Sequence, residues 1–304
     1  MTNTHDKHIG FLAAVLAYTL WGMLPIYWHS MAAISPLEIL SHRILWSALV
    51  TIIAMTILGR WGDIRLLLKN RRTSMAAMAC TILISINWLV FIWAISVGRT
   101  LESSLGYFIN PLLNVLIGAL FLHERLSRLQ IAAVVCAAIG VFYAVIGAGQ
   151  LPWIALVLAA SFSMYGYLRK IMMADSLTGL TAETCLLAPL ALFGVVWFWG
   201  IKGSAFGTPI GTTPHLLNIA LLIGAGPVTA APLLLFAAGA RRLPFSTIGF
   251  LQYLAPSLMF VISIVLFHEP LTLQSTITFL CIWAGIALYI LDGLFKQRVA
   301  VINP

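Results

Sequence analysis

Residues 110–127 read NPLLNVLIGALFLHERLS, and residues 255–272 read APSLMFVISIVLFHEPLT. A proline stands near the start of each stretch and a His-Glu pair near its end. Pro111, His123 and Glu124 recur as Pro256, His268 and Glu269, all at one offset of 145 residues. Glu38 and Glu183 share that offset, while Trp21-Gly22 and Tyr165-Gly166 match at 144. The chain therefore divides into two related halves, 1–148 and 149–304.

The medium around these halves follows from composition. The 304 residues are 61% hydrophobic and 9% charged, whereas soluble domains carry roughly 25% charged residues. Water would not solvate such a globule, so most of the surface must face lipid. A helix needs roughly 20 apolar residues to cross a bilayer. Apolar runs of that kind place spans at about 9–28, 37–58, 74–96, 102–122, 130–148, 152–171, 179–200, 215–239, 246–267 and 273–293. The first run, from Ile9 to about Trp28, is long for a signal-peptide core and lacks an A-x-A cleavage site, so it reads as a membrane helix.

The basic residues give the orientation. With both ends in the cytoplasm, the inner segments hold Lys7, Arg60, Arg65, Lys69, Arg71, Arg72, Arg125, Arg128, Arg169, Lys170, Arg241, Arg242, Lys296 and Arg298, against Arg99 and Lys202 outside. Fourteen against two is a strong positive-inside bias, and a missing or extra span would scramble it. The net charge of +8 is explained by these signals rather than by a nucleic-acid face. The basic connection near 59–73 is expected at the lipid surface.

Five spans per half is an odd number, so the second half inserts upside down relative to the first. The fold expected is all-α integral membrane: ten transmembrane helices as two inverted five-helix repeats. Inverted repeats are a construction principle of secondary carriers, in which two halves rock about a site near the midplane. A channel, or less readily a membrane-embedded enzyme, is the alternative. No GxxxxGK[ST], HExxH or GxSxG sequence occurs, which reads against an ATP-driven pump and against an enzyme. Cys80, Cys136, Cys185 and Cys281 lie apart in apolar runs and read as small hydrophobes. No metal and no cofactor is expected.

Polar groups inside a membrane normally face the bundle interior or water. On the second span Glu38, His42 and Trp46 recur every four residues, with Arg43 beside His42 and deeper than Glu38. A Glu-His pair at that spacing is suited to proton exchange, or with Arg43 to holding a charged solute; both residues also fit an interfacial role near the span's outer end. Arg43 keeps its charge and needs a partner or a solvated cavity. The fourth span carries Ser103, Tyr107, Asn110 and Asn114 on one face, as pathway lining or as interhelical glue. Gly249, Gln252, Pro256 and Ser263 form the matching face of the ninth, with Tyr253 adjacent. Pro111 and Pro256 are places where the backbone ladder could kink. Asn87 heads a face of the third span, and Trp21 with its repeat mate Tyr165 are candidate aromatic walls. Glu38, His42 and Glu183 are the candidates for proton coupling. The two His-Glu pairs read as capping and loop elements, since adjacent helical residues diverge too far to share a metal.

Several of these elements together resemble a known family. They are Tyr18-Thr19-Leu20-Trp21-Gly22 with Pro25, Glu38 to Arg43 (EILSHR), Asn87-Trp88, Gly106 to Pro111 (GYFINP), Gln252 to Pro256 (QYLAP) and the two His-Glu pairs. The chain is similar over nearly its whole length to the EamA-type members of the drug/metabolite transporter superfamily, and more narrowly to the RarD subfamily of bacterial permeases. The resemblance implies a multi-pass permease of the bacterial cytoplasmic (inner) membrane for a small organic solute, such as a metabolite, amino acid or amphipathic drug. It also implies that the fifth and tenth spans lie outside the pathway, as scaffold or homodimer surface.

Overall fold

The computed structural model describes residues 4–121, 127–148, 151–172, 174–200, 204–207, 214–240, 242 and 251–302. Among them the chain forms helices only: α1 (Thr4–His29), α2 (Pro36–Ile57), α3 (Trp61–Lys69), α4 (Arg71–Ser96), α5 (Thr100–Phe121), α6 (Arg128–Ala148), α7 (Trp153–Met172), α8 (Ser176–Gly200), α9 (His215–Ala240), α10 (Leu254–Val265) and α11 (Leu273–Ile302). Six of these are individually long and apolar enough to cross a membrane: α1, α2, α4, α8, α9 and α11. Every expected span coincides with a described helix. Of the ninth, 246–267, only the part from residue 251 lies within the described residues, as do none of His123, Glu124 and Arg125. The additional element is α3, a short helix in the basic connection.

Local chemistry sets the helix ends. Asn70 caps α4, its side-chain oxygen accepting from the backbone N–H of Arg72 at 3.0 Å and Thr73 at 3.2 Å. Pro36 opens α2 at a position that needs no N–H donor. Ser127 and Gln130 form a reciprocal capping box at the start of α6. The repeat mate of Ser127, Thr272, caps α11 through the N–H of Ser275 at 3.1 Å. The two prolines of the repeat differ: α5 runs unbroken through position 111, whereas Gln252 and Tyr253 form a turn and Pro256 sits in the first turn of α10. There its missing N–H costs no hydrogen bond.

Polar groups sit inside, among hydrophobic core residues, and large apolar side chains cover the surface. Glu38, His42, Arg43, Asn87, Asn110 and Glu183 are buried, while Leu12, Ile57, Phe142, Leu190, Phe193 and Trp197 stand outward. Such a surface suits hydrocarbon. The helices pair in an exchangeable pattern: α1 packs on α9 and α10, as α7 packs on α4 and α5. Meanwhile α2 packs on α8 and α6 on α11. Helices in lipid gain little hydrophobic drive from each other, so close packing at small residues matters most. Ideal Cβ atoms at Gly22 and Gly106 would lie 2.9 Å from the Ala255 carbonyl oxygen and 2.8 Å from that of Ala155.

At the ends of the bundle, polar ties join the halves. Arg60, just ahead of α3, bonds Asp63 and reaches across to Asp175 before α8. Burial opposes ionisation of Asp175, but the Thr178 backbone N–H and the Arg60 guanidinium outweigh it and hold the carboxyl below its ordinary range. At the opposite end, Glu269 accepts from the N–H groups of Thr100 at 2.7 Å and Leu101 at 2.8 Å, capping α5. The backbone of His268 takes a left-handed φ of 52° to aim it.

Gly106→Leu should lower the thermal midpoint of the detergent-solubilised protein, with a loss of ~1–3 kcal/mol typical of overpacking; an unchanged midpoint would show that α5 and α7 are not in close contact. Because the carboxyl of Asp175 is depressed on folding, its contribution is complete above its unfolded value of about 4 and is lost as pH falls through the folded value. Asp175→Asn should therefore reduce stability at neutral pH by ~1 kcal/mol or less and flatten its decline in acid, read from midpoints measured across pH.

Candidate functional site

The face expected on α2 is present, but its members engage different partners. The Glu38 carboxylate accepts from the Ser204 hydroxyl at 2.8 Å and the Ala205 N–H at 2.9 Å, anchoring the segment after α8. His42 is turned the other way: its Nδ1 accepts from the Trp46 indole at 3.3 Å, and its ring stacks on Phe206 at 4.9 Å. A neutral His42 then carries its proton on Nε2. The two residues share a helix face and a neighbouring loop rather than a direct hydrogen bond. Beside them lies a cavity of about 350 Å³ lined by His42, Leu45, Trp46, Leu49, Val195, Trp199 and Phe206. Leu49 and Trp199 are exposed, so this cavity opens between α2 and α8 toward the surrounding lipid.

Arg43 points into the bundle and is 4% exposed. Its guanidinium lies 4.1 Å from the ring centre of Trp88 and 4.9 Å from that of Trp28. Among the described residues Nε and Nη1 have no hydrogen-bond partner, and neither do the Trp28 indole nitrogen or the Ser47 hydroxyl one turn along α2. Among the described residues no carboxylate lies within ion-pair distance of Arg43. A desolvated cation–π contact is worth about 2 kcal/mol, whereas removing an ion from water costs several kcal/mol even after relaxation. The two rings offset part of that cost, and the hydrogen-bonding capacity of the cation stays unspent.

Asn87 of α4 joins three helices beside this group. It accepts from the Tyr107 hydroxyl of α5 at 3.1 Å and donates to the Leu158 carbonyl and the Ser161 hydroxyl of α7, each at 3.0 Å. Tyr107 also packs edge-on against Phe91 at 5.5 Å. One turn on, Asn110 is fully buried with both amide atoms lacking partners, while Ser163 donates to its backbone carbonyl. The Asn114 side chain lies outside the described residues.

The remaining candidates spread through the second half. The Tyr165 hydroxyl donates to Glu183 at 3.1 Å, and Arg169 stands 3.6 Å from the same carboxylate. Glu183 is thus held in a buried cluster of its own. Trp21 packs against Tyr18 at 5.4 Å and Phe236 at 5.7 Å, not against Tyr165. Gln252 is half-buried, and Tyr253 packs with Leu105, Phe108 and Ile109, whereas Tyr107 packs beside Phe91 in a separate cluster. Tyr107 and Tyr253 therefore lie in different packing clusters beside α5, and α5 and α10 are linked where the Ser104 hydroxyl donates to the Pro256 carbonyl at 2.8 Å. Sequence reasoning did not single out Trp88, Ser47, Ser161, Ser204 or Phe206 for this site. The unremovable charge of Arg43 was the one signal that a cluster must exist around it.

Known proteins resemble both the sequence and this arrangement. The model of the EamA-like transporter family matches residues 8–146. An uncharacterized transporter of Vibrio cholerae is 42% identical over 295 residues, covering 97% of this chain and 96% of the relative. Protein RarD of Escherichia coli is 39% identical over 289 residues, covering 95% and 96%. A solved crystal structure at 18% identity shares the fold, with a TM-score of 0.59 over 93% of this chain and 97% of that one. The chain belongs to the EamA-like transporter family, among relatives named RarD, and is a multi-pass membrane transporter of small molecules, not an enzyme.

Proposed function

We propose that this chain is a secondary carrier of the bacterial cytoplasmic membrane. It moves a small organic solute by alternating access between two inverted five-helix halves, residues 1–148 and 149–304, with both termini in the cytoplasm. The observation that carries this reading is the exchangeable packing: α1 meets α9 and α10 as α7 meets α4 and α5. A two-fold relation of that kind lets one half take the other's role, which is how inverted repeats interconvert outward-open and inward-open states. The ties at Arg60–Asp175 and at Glu269–Thr100 support it, because each crosses between the halves at opposite ends of the bundle and each must release in turn. The solute is held among the buried polar groups of α2, α4 and α5, with Arg43, Asn87, Tyr107 and Asn110 at its centre. Trp21, Tyr165, Gln252 and Tyr253 shape the passage as the halves move. Helices α6 and α11 pack chiefly on each other and serve as scaffold or as the surface of a homodimer.

Proton coupling is assigned to Glu38, His42 and Glu183. Both carboxylates are 1% exposed in a membrane interior, and intramembrane acids commonly serve as proton relays.

In proteoliposomes loaded with an unlabelled solute from a panel of amino acids, nucleosides and amphipathic drugs, external labelled solute should accumulate transiently by counterflow. Single-channel currents without counterflow would make the protein a channel instead. An inward proton gradient should accelerate transport by the wild type, and Glu38→Gln or Glu183→Gln should abolish the increment. Gradient responses equal to wild type in both variants would remove these acids from coupling.

A further inference from the structure

The repeat is broken at one chemically decisive place. Glu38 has its mate in Glu183, but the positions matching His42 and Arg43 at the same offset are Leu187 and Ala188. The second half has instead Arg169, whose guanidinium stands 3.6 Å from Glu183. Arg169, which is partly buried, thus has a carboxylate at hand. Arg43, which is buried, stands 4.1 Å from the ring centre of Trp88 and 4.9 Å from that of Trp28, and its Nε and Nη1 lack a hydrogen-bond partner among the described residues.

We propose that the guanidinium of Arg43 is the anion site of the carrier, and that the solute bears a carboxylate which supplies the missing counter-charge. The inference rests on the carrier reading and narrows it to organic acids. The groups around Arg43 favour this class. The Trp28 indole nitrogen and the Ser47 hydroxyl are buried and lack acceptors among the described residues, so three side chains offer N–H or O–H donors and none of the described acids pairs with Arg43. A carboxylate is acceptor-only when ionised and matches such a set, whereas an ammonium group would find a like charge. The aromatic rings of Trp28 and Trp88 beside the guanidinium also make the surroundings apolar, which favours an organic acid over a small inorganic anion. Because the second half has no equivalent cation, the anion binds in the first half and not on the axis relating the two.

The test is binding, read separately from flux. Purified full-length protein in nanodiscs is titrated with benzoate and indole-3-acetate, with their primary amides, and with inorganic phosphate, following thermal stabilisation and tryptophan fluorescence. The acids should stabilise the protein and perturb its fluorescence while the amides do not. Arg43→Gln should weaken the acid response at least about tenfold, as expected for loss of charge-assisted hydrogen bonds. Should that variant fail to fold, Arg43→Lys keeps the charge and should retain the preference for acid over amide at reduced affinity. Equal responses to acid and amide, no response to either acid, or an unaltered acid response in Arg43→Gln would overturn the assignment. A response to phosphate alone would overturn the carboxylate class. Counterflow with no preference for acids would sink this inference and leave the carrier standing; acid binding without counterflow would do the reverse.

Discussion

Lipid gives helices little reason to associate, and the whole architecture depends on how this chain overcomes that indifference. Against hydrocarbon, an exposed leucine and a buried one differ little in energy, so the bundle cannot be held as a soluble core is. It is held by shape and by polar contact. Backbones come close at Gly22 against α10 and at Gly106 against α7, and side chains such as Asn87 hydrogen-bond across the narrow gaps. These contacts are short-ranged and specific. They fix which helices may be neighbours, and the polar interior follows because only there do Glu38, Arg43 and Glu183 find shelter from hydrocarbon.

The interior polar groups fall into two kinds. Glu38, Asn87 and Tyr107 are satisfied by other residues of the chain, and they stitch the bundle. Arg43, Asn110, Ser47 and the Trp28 nitrogen retain unspent capacity. Buried polar atoms without partners are rare in folded proteins, and each calls for an explanation. Those of Arg43, Ser47 and Asn110 lie on α2 and α5, beside the hydrogen-bonded network of Asn87 and Tyr107.

Much of this was legible beforehand. The period of 145 residues and the distribution of lysine and arginine predicted two halves of five spans each, and the described residues form only helices, six of them long and apolar enough to cross a membrane. The His-Glu pairs read as capping elements of their own span ends, whereas Glu269 caps α5, distant in sequence. What eluded the sequence was pairing between helices. Trp28 and Trp88 sit 15 and 45 residues from Arg43, and no periodicity on one helix reports a neighbour on another. For the same reason no pattern on α5 foretold that Tyr107 bonds Asn87 of α4 while Tyr253 packs in another cluster with Leu105, Phe108 and Ile109. The repeat also suggested equivalent prolines, yet a turn at Gln252–Tyr253 places Pro256 at a helix start while α5 continues past residue 111.

The cap on α5 has a mechanical consequence. One carboxylate grips two successive amides, each through a different oxygen. A helix rises 1.5 Å per residue, so an axial slip of that size would put both amides out of register together. The clasp is held fully or not at all. The first turn of the helix that presents Tyr107 and Asn110 is thereby coupled to the segment between α10 and α11 as a latch, not as a spring.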